Sequence, residues 1–441
     1  MTGMALLGVG IAAVALLLAL VIWVRLPAFV ALILVSVITA IVAGIPLADA
    51  TGTVTKGIGN TLSSVLVVVG LGAMLGRMIE ASGGADSLAT YFTLKLGKKR
   101  VVAAVTIAAF ILGIPVFFDV GFIILAPIIF AFARVVGLNP LKIGLPVAGI
   151  MLTVHVVTPP HPGPVAAAGL LDADLGLVLA FSLPLAALAG VAGYWLARLI
   201  RVDTVTLLDS PATEAPPVSD TVPPRPGIVM GLILLPIAQI MVGTVGSLLL
   251  DDHPIITFLG SAPIALLTAV LVAFVVLGRD QGWDLTRRST ILDSALPDVA
   301  VIIFVTGAGG GFANVLVESG IGQVVSDMLI ATAMPLILLA YVLSLLLRAA
   351  QGSATVAILT TAGLLLTPIT DAALSNTQTA LLACAIGFGA LGLSHINDSG
   401  FWIVTRYLGL SVKDGLRTWT VLSTGFSVAG FALTWAAYAL V

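Results

Sequence analysis

The sequence predicts an all-α polytopic membrane protein that consists of two inverted repeats. Three observations lead to this fold class: charged residues are rare, many apolar stretches have membrane-spanning length, and four longer apolar tracts contain polar residues or prolines. Of 441 residues, 59% are hydrophobic and 9% are charged, whereas soluble domains have about 25% charged residues. The chain therefore has too few polar side chains to cover a surface that faces water.

Uninterrupted apolar stretches predict most of the transmembrane helices. A hydrocarbon core of about 30 Å requires helices of roughly 20 residues, and the chain offers about ten of them. The uninterrupted spans are predicted at residues 4–24, 26–48, 57–80, 175–198, 227–250, 254–278, 297–318 and 418–440. We interpret the first as a retained helix rather than a signal peptide, because it lacks a preceding basic residue and a small-residue cleavage site.

Four apolar tracts do not fit a single uninterrupted span. Tracts 101–134 and 333–368 are far longer than one span, yet a second crossing would require a polar turn outside the membrane. We predict that each forms a re-entrant hairpin, which leaves the membrane on the side it entered. Tracts 141–171 and 379–409 are long single spans with polar or proline breaks, and they predict two interrupted helices.

The basic residues predict the orientation of the chain, because cytoplasmic loops are enriched in lysine and arginine. With both hairpins in place, most basic residues fall on one side of the membrane, whereas Lys56 lies clearly on the other. The basic side includes the cluster of Lys95, Lys98, Lys99 and Arg100. We therefore expect this side to be cytoplasmic and both termini to lie outside.

The stretch 202–226 divides the chain into two halves, residues 1–201 and 227–441. It is rich in proline, serine, threonine and acidic residues, which predicts a flexible cytoplasmic linker. Each half would contain three spans, a hairpin, an interrupted helix and a final span, in opposite orientations. One constant offset pairs Gly70, Gly72, Ser82, Gly83 and Gly163 with Gly307, Gly309, Ser319, Gly320 and Gly400. Inverted repeats with broken helices are typical of secondary transporters.

Each half contributes two breaks whose composition is unusual for a membrane segment. They are PVFFDVG (115–121), TPPHPGP (158–164), RAAQGSAT (348–355) and SHINDSG (394–400). Non-helical backbone at membrane depth must be buried in protein or line a polar cavity, so we expect the four breaks to converge near the midplane. Half-helix N-termini would attract a carboxylate, and the polar side chains would suit a substrate with several hydroxyl groups.

Candidate substrate-binding residues lie in or beside these breaks. Glycine at position 163 would allow a substrate to approach the backbone closely. Arg348 could hold a carboxylate by two parallel hydrogen bonds, or it could pair with Asp119 or Asp398, and both alternatives stay open. The predicted substrate-binding set is Asp119, Thr158, His161, Gly163, Arg348, Gln351, Gly352, Ser353, Thr355, Asn397, Ser399 and Gly400.

The titratable residues of the breaks are candidate proton carriers, namely Asp119, His161, His395 and Asp398. A charge at membrane depth costs about 2.5–3.5 kcal/mol and indicates a functional site, and burial favours the uncharged form of a carboxylate. Either aspartate could instead cap the half-helix that follows it, and Asp398 could pair with Arg348 or Arg406. Imidazole titrates near neutral pH, but a buried histidine can also be a hydrogen-bonded core residue, as we expect for His155.

Other classes of function fit the sequence less well. An intramembrane hydrolase would need a nucleophile turn or a serine–histidine spacing that the chain lacks, and no HExxH-like spacing supports a metal enzyme. A single cysteine, Cys384, excludes most cysteine-based metal sites. There is no GxxxxGK[ST] motif for ATP-driven pumping. A passive channel would not need titratable carboxylates in a closed cavity. We expect no enzymatic activity, no cofactor, no metal site and no nucleic-acid partner.

The breaks carry a resemblance to a known family. The strings FFDVGF (117–122), PPHPGP (159–164), AQGSATVA (350–357) and SHINDSGFW (394–402), with the GLS turn (409–411), are long and chemically odd for a membrane protein. Through them the chain resembles the gluconate:proton symporter family of bacterial permeases, nearly from end to end. The sequence departs from that family at Thr158, where members often carry a bulky aliphatic residue, and this difference bears on substrate specificity.

The resemblance implies the architecture and activity of the wider ion-transporter superfamily. That architecture has a scaffold and a moving transport domain, usually forms a dimer, and works by elevator-like alternating access. We expect proton-coupled uptake of gluconate or a related sugar acid across the bacterial inner membrane. The alternative is a sodium-coupled or proton-coupled carrier of another small hydroxy or keto carboxylate. The expected partners are the sugar acid, protons, the lipid bilayer and a second copy of the chain.

Overall fold

The structure is a computed structural model that describes residues 3–97, 100–114, 117–159, 161–208, 223–249, 254–332, 334–372 and 374–441. All regular secondary structure in these ranges is helical, in agreement with the predicted class. Lys98, Lys99, Pro115, Pro160 and residues 209–222 of the predicted linker lie outside the described residues.

The described part of the first half contains nine α-helices and one short 3₁₀ turn, Val202–Thr204. The helices are α1 (Gly3–Ile22), α2 (Ala28–Ala43), α3 (Leu47–Ala81), α4 (Gly84–Leu96), α5 (Val101–Gly113), α6 (Phe118–Val136), α7 (Leu141–Val157), α8 (Pro162–Leu170) and α9 (Leu175–Leu199). Helix α9 begins after Asp174, whose side chain accepts a hydrogen bond from the Leu177 N–H at 2.8 Å and so satisfies one free amide of the first turn.

The second half of the described chain contains thirteen helices, with a π-helical turn at Leu416–Thr420. The helices are α10 (Pro226–Leu249), α11 (Pro254–Gly260), α12 (Ala262–Asp280), α13 (Leu285–Asp293), α14 (Leu296–Glu318), α15 (Ile321–Ile330), α16 (Leu336–Gln351), α17 (Ala354–Leu364), α18 (Leu366–Asp371), α19 (Asn376–Leu391), α20 (Ser399–Tyr407), α21 (Val412–Gly415) and α22 (Val421–Tyr438). Ser375 and Gln378 form a capping box at the start of α19, which fixes where this helix begins.

Eight helical segments of the described chain are long and apolar enough to cross a membrane, or up to nine if α3 is counted as one span bent by 42°. The predicted span 26–48 is shorter than expected, because α2 ends before Gly44, which has a left-handed φ of +99°. The predicted span 254–278 divides at Ser261 between α11 and α12. The chain is therefore an all-helical, multi-pass membrane protein, and the count of about ten spans stays a prediction.

Helices α3 and α14 cross so closely that the contact requires glycine. A Cβ atom on Gly57 would stand 2.5 Å from the Gly310 carbonyl oxygen, and one on Gly310 would stand 1.9 Å from Thr61 Oγ1. A Cβ atom on Gly311 would stand 3.0 Å from the Val54 carbonyl oxygen. Small residues allow membrane helices to approach at backbone distance. This crossing joins the first half of the sequence to the second.

A second group of helices carries the broken tracts. Helix α19 packs against α16 and α22, while α7 packs against α5 and α9. The Phe426 ring of α22 fits against two glycines, because a Cβ atom on Gly149 or Gly193 would stand 2.4 or 2.1 Å from it. Four residues further along α22, Phe388 of α19 packs in the same way against Gly430. These contacts hold α7 and α19, which lead into two of the breaks, in fixed positions.

The described beginning of the predicted linker, residues 202–208, contacts both halves. Val202 is buried, and its carbonyl accepts a hydrogen bond from Asn139 Nδ2 at 3.4 Å. The Leu208 N–H donates to the Gly409 carbonyl at 2.8 Å. The GLS turn that follows α20 is thereby tied to the end of the first half.

Candidate functional site

Each of the four tracts that did not fit a single uninterrupted span is divided between separate helices in the structure. We call the interruptions break 1, between α5 and α6; break 2, between α7 and α8; break 3, between α16 and α17; and break 4, between α19 and α20. All four overlap the polar or proline-containing segments that the sequence singled out. Each break leaves helix ends, with unpaired backbone N–H and C=O groups, inside an apolar part of the protein. The groups that pair with these helix ends therefore determine which ligand the site can bind.

Breaks 1 and 2 meet through aromatic rings. The Phe117 ring lies 5.7 Å from the ring of His155 and 5.7 Å from the ring of His161, measured between centroids. The backbone N–H of Phe118, the first residue of α6, donates to His155 Nδ1 at 3.3 Å. The two imidazole centroids are 3.8 Å apart. Break 1 is therefore attached to the end of α7 as well as to break 2.

Breaks 2 and 3 meet because α8 packs against α17. His161 caps α8, since its Nδ1 accepts the Gly163 N–H at 3.3 Å. A Cβ atom on Gly163 would stand 3.0 Å from Ile358 Cδ1 and 3.6 Å from Thr355 Cα. The close approach that we expected at Gly163 is thus occupied in this structure by the first turns of α17.

Breaks 3 and 4 have the closest contact of all. Gly352 ends α16 with a φ of +75°, and a Cβ atom there would stand 2.2 Å from the Asn397 carbonyl oxygen. Asn397 Nδ2 donates to the carbonyls of Ala349 and Ala350, both at 2.9 Å. His395 Nε2 lies 2.8 Å from the Ala349 carbonyl oxygen. Side chains of break 4 therefore satisfy the last carbonyls of α16, which its own helix leaves unpaired.

A buried ion pair lies at this junction. Arg348 Nη2 lies 2.5 Å from Asp398 Oδ2, and the two side chains are 2% and 5% exposed. Arg348 Nη1 also donates to the Gly352 carbonyl. Asp398 additionally caps α20, because its Oδ1 accepts the Gly400 N–H at 3.1 Å. Of the alternatives that the sequence left open, the ion pair with Asp398 and the cap of α20 are both present.

Asp119 lies in the first turn of α6, beside this ion pair. Both Asp398 and Arg348 act on its carboxyl group electrostatically. The Phe118 ring reaches break 4 as well, since a Cβ atom on Gly400 would stand 3.4 Å from it. The suggestion that Asp119 caps α6 is wrong, because Phe117 occupies the N-cap position and α6 has no side-chain cap of its own. The helix begins at Phe118, two residues earlier than a cap at Asp119 would require.

Several polar atoms at the breaks are buried and have no hydrogen-bond partner among the described residues. They are Thr158 Oγ1, Arg348 Nε, Gln351 Oε1, His395 Nδ1 and Asn397 Oδ1. A buried polar group that lacks a partner costs about 1–3 kcal/mol, and native proteins rarely retain such groups without a reason. The set contains both donors and acceptors.

The remaining predicted residues line the same junction or cap its helices. Ser353 Oγ accepts the Val356 N–H at 3.4 Å and caps α17. Thr355 follows in the first turn of α17 and is half-buried. Ser399, also half-buried, is the first residue of α20, and Gly400 is buried behind it. Among the described residues, no group of three or more histidine, cysteine, aspartate or glutamate side chains could hold a metal ion.

Comparison with known proteins identifies the family. The profile of the GntP family permeases matches residues 4–441. The chain belongs to the GntP permease family. The assignment agrees with the resemblance carried by the break motifs, and it makes the chain a transport protein rather than an enzyme.

Named relatives cover nearly the whole permease. It is 52% identical to the inner membrane permease YgbN of Escherichia coli K12, over 100% of both chains. It is 36% identical to a gluconate permease of Pseudomonas aeruginosa, over 91% of this chain and 90% of the other. It is 33% identical to the Gnt-II system L-idonate transporter of Escherichia coli K12, over 95% and 96% of the two chains.

Sequence reasoning missed three residues that belong to this region of the permease. Ser394 Oγ donates to Asp398 and accepts the Trp419 Nε1–H at 2.8 Å, so Trp419 positions Asp398 through Ser394. Thr306 has a buried hydroxyl that no other described residue hydrogen-bonds. It lies one turn before Gly309, whose Cβ would stand 2.6 Å from the Asn397 carbonyl oxygen. Ser394 lies in a quoted motif and could have been chosen. No motif in the neighbouring sequence indicates that Trp419 or Thr306 belongs to the site.

Proposed function

We propose that this GntP family permease is a secondary active transporter that couples uptake of gluconate or a related sugar acid to proton entry. The observation that carries the proposal is the set of buried, unpartnered polar atoms at the breaks, beside the Arg348–Asp398 ion pair. Such atoms are stabilised when a ligand supplies the missing partners. Relatives named gluconate permease and L-idonate transporter support a sugar acid as that ligand.

Recognition of the substrate would combine one charged contact with several neutral ones. The substrate carboxylate would bind the free Arg348 Nε. It would also bind the backbone N–H groups at the starts of α8, α17 and α20, where the positive ends of the helix dipoles lie. Hydroxyl groups would donate to Gln351 Oε1 and Asn397 Oδ1 and contact Thr158 Oγ1. Ser353, Thr355 and Ser399 would complete the site at the helix starts, and the backbone at Gly163, Gly352 and Gly400 would be close to the ligand.

Proton coupling would centre on Asp119 and Asp398. Asp398 shares its charge with Arg348, so an ionised Asp119 beside it would add an unbalanced negative charge to a buried site. An anionic substrate would increase this excess. Protonation of Asp119 would therefore favour binding, and release of the proton on the cytoplasmic side would favour dissociation. His161 and His395 are the further candidates for carrying a proton.

The transport cycle requires two states that bind the substrate from opposite sides. We propose an elevator-like movement in which the helices that carry the breaks move relative to the α3–α14 crossing. A ligand shifts such an equilibrium only by binding one state better than the other, so tight coupling requires that partly loaded forms move poorly. The inverted repeat, a homodimer, location in the inner membrane and termini on the outside are parts of this proposal.

Two alternatives remain within transport. Sodium could replace the proton as the coupling ion, because carbonyl oxygens at broken helices bind sodium well. Another small hydroxy or keto carboxylate could replace gluconate, a possibility that Thr158 raises because its hydroxyl adds a polar group to the cavity wall. The name of the 52% identical relative specifies no substrate.

Uptake into proteoliposomes tests the proposal. We expect radiolabelled gluconate or L-idonate to accumulate when the outside is more acidic, and the accumulation to stop when a protonophore is added. Accumulation that follows a sodium gradient but ignores a pH gradient would identify sodium as the coupling ion. Uptake of another carboxylate but of neither sugar acid would show that the substrate belongs to a different class. Failure with all of these anions would overturn the proposal.

A further inference from the structure

His155 performs an unusual task at the start of a neighbouring helix. It lies on α7, yet its Nδ1 accepts the backbone N–H of Phe118, the first residue of α6, at 3.3 Å. Helix α6 has no side-chain cap of its own, so His155 supplies one across the break. The capped turn carries Asp119, the proposed proton carrier, one residue after the capped amide.

His161 caps a second helix with the same atom. Its Nδ1 accepts the Gly163 N–H at the start of α8 at 3.3 Å. An imidazole nitrogen accepts a hydrogen bond only while it is unprotonated, so each ring is held as the neutral tautomer with its proton on Nε2. Protonation at Nδ1 gives an imidazolium, which donates from both nitrogens and can no longer serve as a cap.

The two rings are too close to act independently. Their centroids are 3.8 Å apart and their planes are inclined at 57°. Two positive imidazolium rings at this separation would repel each other strongly inside the protein, and His161 is buried. The pair can therefore hold one added proton but resists a second, which is the behaviour of coupled titrating groups.

The surrounding helices bring few other charges to the pair. Helices α5, α8 and α17 carry no titratable side chain. Helix α6 carries Asp119 beside Phe118 and Arg134 in its last turn, and the ion pair of Arg348 and Asp398 acts on Asp119. The other titratable groups on helices packed against α7 are Tyr194 and Arg198 of α9, Cys384 of α19 and Tyr438 of α22. Asp119 is thus the acid nearest in sequence to the capped amide.

We infer that His155 is a positioning residue for the start of α6, and that the His155–His161 pair takes up a single proton during the transport cycle. The added proton enters at the Nδ1 lone pair of one ring, and the backbone N–H that this atom had accepted loses its partner. One of two helix N-termini at the breaks is then released. The inference rests on the proposed proton coupling. It adds His155 to the residues involved and limits the histidine pair to one added proton.

Substitution of His155 separates capping from titration. Asparagine places an acceptor near the position of Nδ1 but does not titrate, whereas alanine removes the acceptor. In proteoliposomes, we expect His155→Asn to retain sugar-acid exchange within about threefold of the parent, while the pH profile of proton-driven accumulation changes. His155→Ala should lose exchange as well. Thr153→Ala, two residues away on α7, removes a hydroxyl that donates to the Gly149 carbonyl of its own helix and serves as the matched control.

Two transport results would overturn the inference. An unchanged pH profile in His155→Asn would make His155 a structural cap without a role in titration. Unchanged exchange in His155→Ala would remove the positioning role. If the parent protein transports no sugar acid at all, the proposed function fails, and a measurement that needs no substrate then decides the inference.

Nitrogen NMR of the purified, ¹⁵N-histidine-labelled protein is that measurement. The chain has four histidines, so single asparagine variants assign every signal. We expect both His155 and His161 to show the Nε2–H tautomer at neutral pH and only one of them to become protonated on mild acidification. In His161→Asn, His155 should take up its proton at higher pH than in the parent. Independent protonation of the two rings would refute the one-proton limit.

Discussion

Arg348 Nη2 and Asp398 Oδ2 are 2.5 Å apart, in an ion pair that joins the end of α16 to the start of α20. Both side chains are almost fully buried, so neither charge has access to water as compensation. The pair therefore holds breaks 3 and 4 together only while both members are present. Loss of one partner from a buried pair leaves an uncompensated charge.

Asp398→Asn should destabilise the protein by about 3–5 kcal/mol, because it leaves Arg348 buried without its counter-charge. Arg348→Met combined with Asp398→Leu should be less destabilised than the single variant, since no buried charge remains. Thermal unfolding in detergent measures both. If the losses of stability from the Arg348 and Asp398 substitutions add in the double variant, the ion pair is contradicted. Both variants should also fail to accumulate substrate.

Asp119→Asn should abolish accumulation driven by a pH gradient, because the side chain can no longer gain or lose a proton. Exchange of labelled for unlabelled sugar acid should persist, since a neutral side chain at this position mimics the protonated state that favours an anion. Both rates are measured in the same proteoliposomes. Asp86→Asn removes an exposed carboxylate paired with Arg134 and is the control. Normal accumulation in Asp119→Asn would exclude Asp119 as the proton carrier.

Gly352→Ala should destabilise the protein severely. The left-handed backbone alone costs a non-glycine residue about 1–3 kcal/mol, and the new Cβ would stand 2.2 Å from the Asn397 carbonyl oxygen. Gly363→Ala, on the adjoining α17, meets no atom within 4 Å and should be neutral or slightly stabilising. Equal melting temperatures of the two variants would mean that breaks 3 and 4 do not touch.

Thr158→Val should make the protein more stable but a poorer transporter. Its buried hydroxyl has no hydrogen-bond partner in the described part of the chain, so removal of that group relieves a cost of about 1–3 kcal/mol. If the hydroxyl binds substrate, KM should rise roughly three- to tenfold, as expected for one lost hydrogen bond. Thr306→Val makes the same test for the residue that the sequence did not indicate.

Thr434→Val is the control for both threonine variants, because its hydroxyl donates to the Gly430 carbonyl within α22. This control should lower stability slightly and leave KM unchanged. A Thr158→Val protein that is less stable, with an unchanged KM, would assign Thr158 a structural role.

The positions of the breaks could be predicted from the sequence because their causes are local. Proline removes a backbone donor, glycine permits a left-handed turn, and aspartate or serine caps the following helix. Gly352, Ser353 and Asp398 all act in this way. The sequence motifs indicate the right segments because the physical causes lie within a few residues of each break.

The partners of the breaks could not be predicted, because they depend on how distant helices pack. His155 caps α6 although 37 residues separate it from Phe118. Trp419 reaches Ser394 from the π-helical turn before α22. The alternative in which Asp119 caps α6 is wrong for the same reason, since His155 of a neighbouring helix supplies the acceptor.

The glycine crossing of α3 and α14 has a consequence for biosynthesis. Helix α3 is complete long before the ribosome has made Gly310, so the nascent first half must enter the membrane with an open backbone groove that lipid cannot fill well. The two halves therefore cannot mature one after the other as separate domains. A chain cut before residue 296 should be degraded by membrane quality control, and co-expression of the missing segment should rescue it.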